Sequence, residues 1–133
     1  AEDQREPCMI DVSFALWPPS VNHGWRNVGN RTCLSAAGRD FRHEMQKSVL
    51  ALRSEKKLPL ESILGPLEVG VTLYPPDKRV RDIDNYCKAI FDAFTHAKVW
   101  QDDSQVKELH IRWGGVVKGG GYRIEINPFV ERV

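Results

Sequence analysis

Cysteine is scarce in this chain. Three occur in 133 residues, Cys8, Cys33 and Cys87, and none is spaced as CxxC. An odd count without paired spacing argues against a disulfide framework and against a zinc site, and leaves free thiols in a reducing compartment. Long apolar runs are absent too; none approaches the roughly 18–20 residues needed to cross a bilayer. The opening stretch, Ala1-Glu2-Asp3-Gln4-Arg5-Glu6-Pro7, has the pattern of neither a signal peptide nor a transit peptide. A cytoplasmic location without a membrane partner is expected. There is no charge of one sign to read: 19 Lys and Arg stand against 18 Asp and Glu, a formal charge of +1. Bulk charge therefore does not announce nucleic acid. With no internal repeat and no linker, the length suits one domain around one core. Residues 1–8 are expected to be a flexible N-terminal stretch and 9–133 the folded domain.

The distribution of charge says more than its sum. Between residues 21 and 57, eight basic residues (Arg26, Arg31, Arg39, Arg42, Lys47, Arg53, Lys56, Lys57) face three acidic ones (Asp40, Glu44, Glu55). An excess of that size steers a polyanion, or is the solvated face of a helix.

Periodicity supplies the elements. Residues 9–17 alternate Ile10, Val12, Phe14 and Leu16 with polar or small neighbours, a strand that Pro18-Pro19 ends. Residues 20–32 read as a polar loop. Ser35 caps a helix to about Lys57, with Phe41, Met45, Val49 and Leu52 as one apolar stripe. Residues 67–74 alternate as a second strand. Cys87, Ile90, Phe91 and Phe94 mark the core face of a helix over 83–97, with Asp84 as its N-cap. Residues 106–113 and 122–127 read as two further strands, joined in a hairpin through Gly119-Gly120-Gly121. The order β-α-β-α-β-β predicts a small α/β domain, a mixed four-stranded sheet packed against two helices.

The chemistry is concentrated between Arg81 and Asp103. Asp82 and Asp84 straddle the entry to the second helix, where i and i+2 side chains can project together and the helix dipole favours carboxylates. Lys88 follows one turn later on the same face. Asp102 and Asp103 return after the helix. Converging carboxylates repel unless a cation neutralises them, and an all-oxygen set suits Mg²⁺ or Mn²⁺. The basic run Lys78, Arg79 and Arg81 stands just upstream. A metal-binding acidic cluster beside a basic edge fits phosphodiester hydrolysis, which needs a positioned water, charge relief at phosphorus and help for the leaving alkoxide. Lys88 would neutralise a phosphoryl oxygen. The plain alternative is a helix cap at Asp84, an Asp82 pair with Arg79 or Arg81, and a solvated Asp102-Asp103 turn.

Several ordered pieces settle the comparison: Trp17-Pro18-Pro19-Ser20-Val21-Asn22, then Ser35-Ala36-Ala37-Gly38 opening a helix, then Pro76-Asp77-Lys78-Arg79-Val80-Arg81-Asp82-Ile83-Asp84-Asn85. After them come Lys88-Ala89, Phe91-Asp92-Ala93-Phe94, Trp100-Gln101-Asp102-Asp103-Ser104-Gln105-Val106 and Lys118-Gly119-Gly120. Together they resemble the RusA family of phage- and prophage-borne Holliday junction resolvases, over about residues 10–126. The resemblance implies a RusA-like endonuclease domain over 9–133: a Mg²⁺-dependent homodimer (Mn²⁺ substituting) that nicks four-way DNA junctions in recombination and repair. Carried over by position, Asp82, Asp84 and Asp103 would be the catalytic metal ligands, Lys88 the catalytic lysine and Asp102 an accessory acid. Arg26, Arg31, Lys78, Arg79, Arg81 and Lys118 would contact DNA. Val80 departs from the family run, which is often arginine there. A two-fold dimer also suits two nicks in opposed strands of like polarity.

Trp25 in the first loop could stack on unpaired bases or fold back on the core. Trp17, Trp100 and Trp113 are expected in the core or at a dimer interface. Three rivals stay open: a junction-binding protein that does not cut, a metal-dependent nuclease of broad specificity, and a transcription regulator. The last is disfavoured because no helix-turn-helix pattern is visible.

Overall fold

Alternation between apolar and polar residues decides which face of the sheet is inside. The computed structural model describes residues 9–132, so the expectation for residues 1–8 and the thiol of Cys8 lie outside it. In β1 (Ile10–Phe14), Ile10, Val12 and Phe14 are buried while Asp11 and Ser13 are exposed. β4 (Leu67–Tyr74) buries Leu67, Val69, Val71 and Leu73, and β6 (Gly121–Pro128) buries Tyr122, Ile124 and Ile126. With β5 (Val106–Trp113) these strands form one mixed sheet in the order β1-β6-β4-β5. Only the β4–β5 pair is parallel, with Leu67 opposite Val106 and Leu73 opposite Trp113.

The two long helices form the second layer. In α2 (Ala36–Ser54), Ser35 caps as expected, its Oγ accepting from the Gly38 N–H at 3.1 Å. Phe41, Met45 and Val49 face the sheet. The helix stops at Ser54, three residues short of the expected end, where Lys56 takes a positive φ of 60°. α3 (Cys87–His96) contributes Ile90, Ala93 and Phe94, whose ring meets Phe14 edge-on at 5.9 Å. Trp100 closes the core between Phe91 and Phe94. The other face of the sheet is polar. There Arg123 forks onto Asp11 at 2.6 and 2.8 Å, and Arg112 meets Glu125 at 3.6 Å.

Three expectations are corrected. β5 and β6 are not a hairpin. The Gly114 N–H donates to the Leu73 carbonyl (2.7 Å) and the Val117 N–H to that of Pro75 (2.9 Å), so the connector crosses the end of β4. β6 then lies between β4 and β1, antiparallel to both. Its wholly buried Tyr122, Ile124 and Ile126 suit a central strand, whereas Lys107, Glu108, His110 and Arg112 suit β5 to an edge. The expected loop at 20–32 carries a one-turn helix α1 (Val21–Gly24) and a two-stranded hairpin, β2 (Trp25–Val28) and β3 (Arg31–Leu34). Gly29 at φ 60° supplies the left-handed turn residue between them. Finally, Asp84 does not cap α3. It sits inside a separate 3-10 turn (Ile83–Asn85), and Tyr86 precedes the helix without a side-chain cap.

Candidate active site

The end of β4 is built around Asp77. Its carboxylate accepts the Arg79 backbone N–H at 2.9 Å and pairs with the Arg81 guanidinium at 2.8 Å, which together hold it below the ordinary carboxylate range. Arg81 also donates to the carbonyls of Asp77 and Arg79 and lies 5.6 Å over the Trp17 ring. With its side chain 11% exposed, Arg81 is an internal brace; it and Arg79 pair with Asp77, not with Asp82 as the plain alternative had it. The brace delivers the chain into the 3-10 turn, where the Asn85 N–H donates to the Asp82 carbonyl at 3.2 Å. Tyr86 fixes the turn to the sheet, its ring 4.9 Å from Trp17 and 6.1 Å from Trp113.

Asp82 and Asp84 occupy this turn. Among the described residues neither carboxylate has a hydrogen-bond or ion-pair partner. Asp82 edges a cavity of about 610 Å³ lined also by Trp17, Ser20, His23, Arg79, Asn85 and Tyr86. His23 is held there by a 2.7 Å hydrogen bond between its Nδ1 and Ser20 Oγ.

Asp103 lies elsewhere. It begins a second 3-10 turn (Asp103–Gln105) that leads into Val106, at the far end of β5 from Trp113. An eight-residue strand, on the order of 20 Å long, lies between. Among the described residues, Asp82, Asp84 and Asp103 do not form a group with ligand atoms within 4.8 Å of one another. Asp102 is occupied structurally: its carboxylate accepts the Ser104 N–H at 3.1 Å, while Gln105 Oε1 accepts the Asp102 N–H at 3.0 Å, a reciprocal cap. Its hydrogen bonds to Ser104 keep Asp102 below the usual carboxylate range.

Lys88 is the second residue of α3 and is exposed. Its ammonium rests 4.5 Å from the centroid of the Trp25 ring on the β2–β3 hairpin. Arg26 and Arg31 are exposed on the same hairpin, and Lys78, Arg79 and Lys118 are exposed on the loops beyond β4 and before β6. The basic stretch 21–57 is less available than its count suggests. Arg42 forks onto Asp92, and Arg53 donates to the carbonyls of Pro59, Ala97 and Lys98. Lys47 and Lys57 pair with Glu44 and Glu55.

Among the described residues, one set of three side chains places its ligand atoms within 4.8 Å of one another: Glu68, Glu108 and His110, on the polar face of the sheet. Those residues could hold a metal ion. They also satisfy each other, with His110 Nε2 3.0 Å from Glu108 and 3.8 Å from Glu68, and Arg132 3.5 Å from Glu108. The hydrogen bond from His110, with Arg132 beside it, lowers the Glu108 pKa. The sequence reading missed this set, which strand register alone brings together. It missed Tyr86 and Asp77 as well; an Asp after Pro75-Pro76 and an aromatic closing Asp-Ile-Asp-Asn were the available signals. Both described cysteines are free, and burial pushes the Cys87 thiol up to about 11.

The family profile described as Endodeoxyribonuclease RusA matches residues 16–127. The crossover junction endodeoxyribonucleases RusA of Enterobacteria phage 82, Shigella sonnei and Escherichia coli K12 are each 34% identical over 110 residues. Those matches cover 83% of this chain and 88% of each relative. The profile match spans both acidic turns, Lys88 and the hairpin, and on that extent the chain belongs to the RusA endodeoxyribonuclease family.

Proposed function

We propose that this chain is a Mg²⁺-dependent, structure-selective endodeoxyribonuclease, with Mn²⁺ able to substitute. It resolves four-way DNA junctions by paired nicks during recombination and repair, and acts as a homodimer in the cytoplasm. The observation that carries this reading is the pair Asp82 and Asp84, without a partner among the described residues and with Asp82 lining an Arg79-edged cavity, in a chain of the RusA family. Magnesium is commonly held by one or two carboxylates together with substrate phosphate and water, and this donor pair fits it.

Asp82 and Asp84 would hold the ion, and when bound it supplies charge relief at phosphorus and a water of lowered pKa. The chain does the rest. Lys88 sets its ammonium against a non-bridging oxygen as charge grows there. Arg26, Arg31, Lys78, Arg79 and Lys118 neutralise flanking phosphates and fix the strand's direction. Arg81 shapes the turn and also lines the cavity beside Asp82. Asp103, whose carboxylate does not group with those of Asp82 and Asp84 within 4.8 Å, enters from a second copy of the chain to join them. Leu109 and Trp113, 39% and 38% exposed beside the unpaired edge of β5, offer an apolar face for that copy.

A synthetic four-way junction tests this. With Mg²⁺ the protein is expected to give nicked duplexes, and Asp82→Asn to bind the junction without cutting it. Binding without cleavage by the unaltered protein, in Mg²⁺ and in Mn²⁺, would leave a junction-binding protein instead. Equal cutting of linear duplex would leave a nuclease of broad specificity.

A further inference from the structure

Lys88 poses an electrostatic problem. It stands four residues after Asp84, an acid and a base set close together in the chain across the 3-10 turn and the start of α3. An ion pair between them would occupy a carboxylate needed for a cation and an ammonium needed for a phosphate. Among the described residues Lys88 makes no ion pair. Its ammonium sits instead on the face of Trp25, 4.5 Å from the ring centroid.

The ring is not placed there by accident of a loose loop. Trp25 is half-buried against the core as the first residue of β2. The base of its hairpin is tied to α2: the Ser35 N–H donates to the Gly24 carbonyl at 3.0 Å, and Ser35 Oγ donates to the His23 carbonyl at 2.5 Å. Gly38 lets the helix approach so closely that any side chain at that position would meet the Gly24 carbonyl. The hairpin is therefore anchored at the end that carries Trp25, while Arg26 and Arg31 project from it into solvent.

We propose that Trp25 is a positioning residue for Lys88. The indole face attracts the ammonium through its quadrupole without accepting a conventional hydrogen bond. It holds the charge away from Asp84 and leaves the ammonium's three N–H donors for a phosphoryl oxygen. Because the same hairpin presents Arg26 and Arg31, the strand that engages those arginines meets a lysine already in place. The inference rests on Lys88 serving cleavage.

A double-mutant cycle tests it, with Trp25→Ala, Lys88→Ala, the double variant and Trp25→Tyr. Single-turnover junction cleavage is measured at saturating protein, and junction Kd separately without divalent cation. Trp25→Ala is expected to slow cleavage about 3- to 30-fold, the range a cation–π contact spans, with Kd within about twofold. Trp25→Tyr should restore the rate to within about twofold, and the double variant should match Lys88→Ala alone. A further loss in the double variant beyond Lys88→Ala, or a loss explained by Kd, would overturn the role of Trp25 and leave that of Lys88 standing. Wild-type cutting by Lys88→Ala would overturn the role of Lys88 first and this inference with it. NMR gives a readout free of activity. The Lys88 ε-methylene protons should be shifted upfield by the indole ring and lose that shift in Trp25→Ala; an unshifted resonance in the unaltered protein refutes the contact.

Discussion

Gln105 carries more of the Asp103 turn than its single side chain suggests. Its Nε2 donates to the carbonyls of Ile63 and Gly65, both at 2.9 Å, and its Oε1 accepts the N–H groups of Gln101 and Asp102 at 2.8 and 3.0 Å. Both amide donors and both lone pairs are used, so one residue joins the segment before β4 to the turn before β5. A net hydrogen bond contributes about 0.5–1.5 kcal/mol, and three of these four are exposed and belong at the low end. Gln105→Ala should therefore cost about 2–3 kcal/mol, roughly 6–12 °C in Tm for a domain of this size. Gln105→Glu is nearly isosteric and more informative. Its carboxylate faces two carbonyl oxygens and cannot donate to either, so at neutral pH it should be at least as damaging as alanine. Below about pH 4 the carboxyl gains one proton and recovers one donor. Thermal melts followed by circular dichroism at pH 7 and pH 4, referenced to the unaltered protein at each pH, measure both effects. A Gln105→Glu protein melting within about 2 °C of the original at pH 7 would refute the reasoning.

Tyr122 is fully buried and its hydroxyl donates only to the Met45 sulfur, at 2.7 Å, a weak acceptor. Tyr122→Phe should thus change stability by less than about 1 kcal/mol, whereas Met45→Leu, which strands the hydroxyl, should cost about 1–3 kcal/mol by urea unfolding. The hydrogen bond from Arg123, with its charge, lowers the Asp11 pKa, so this pair stabilises above the unfolded aspartate value and the gain is lost as pH falls through the lower folded value. The pair is partly exposed, so Asp11→Asn should remove no more than about 1 kcal/mol at pH 7 and nothing once both forms are protonated; an equal deficit at pH 2 would count against it. Mixed dimers of Asp82→Asn with Asp103→Asn should regain nicking, because one of the two shared sites is then intact; silence in the mixture would place all three acids in one chain. Junction affinity should fall by orders of magnitude between about 50 and 200 mM salt if six or more phosphates are contacted, and a flat response would contradict the assigned basic residues.

Strands and helices with strong periodicity were legible in the sequence because each buries a single face. The alternation of Val69, Val71 and Leu73, and the i, i+3, i+4, i+7 set of Cys87, Ile90, Phe91 and Phe94, follow from local geometry. Pairing was not legible, because it depends on where the 114–120 connector runs, and that is set by hydrogen bonds to Leu73 and Pro75 far away in the chain. The β2–β3 hairpin escaped for a different reason: its strands are short, and only Trp25 and Leu34 among its ends face the protein. At the candidate site, the acidic residues were visible as a spacing, but their separation along β5 was not. A motif in the chain groups residues by spacing; the fold sets the first acidic turn beside Trp113 through Tyr86 and the second next to Val106, the opposite end of β5.

The central position of β6 has a consequence for how the chain is made. Among the described residues β1 pairs with β6 alone, Ile10 opposite Ile126, and β4 relies on β6 for one of its two edges. Until residues 121–128 have left the ribosome, both earlier strands keep open edges and the largest apolar face has no middle. The sheet is therefore completed after synthesis of its last strand, and a chain halted at the 119–120 turn would expose two sticky borders at once, the kind of surface that chaperones and proteases engage.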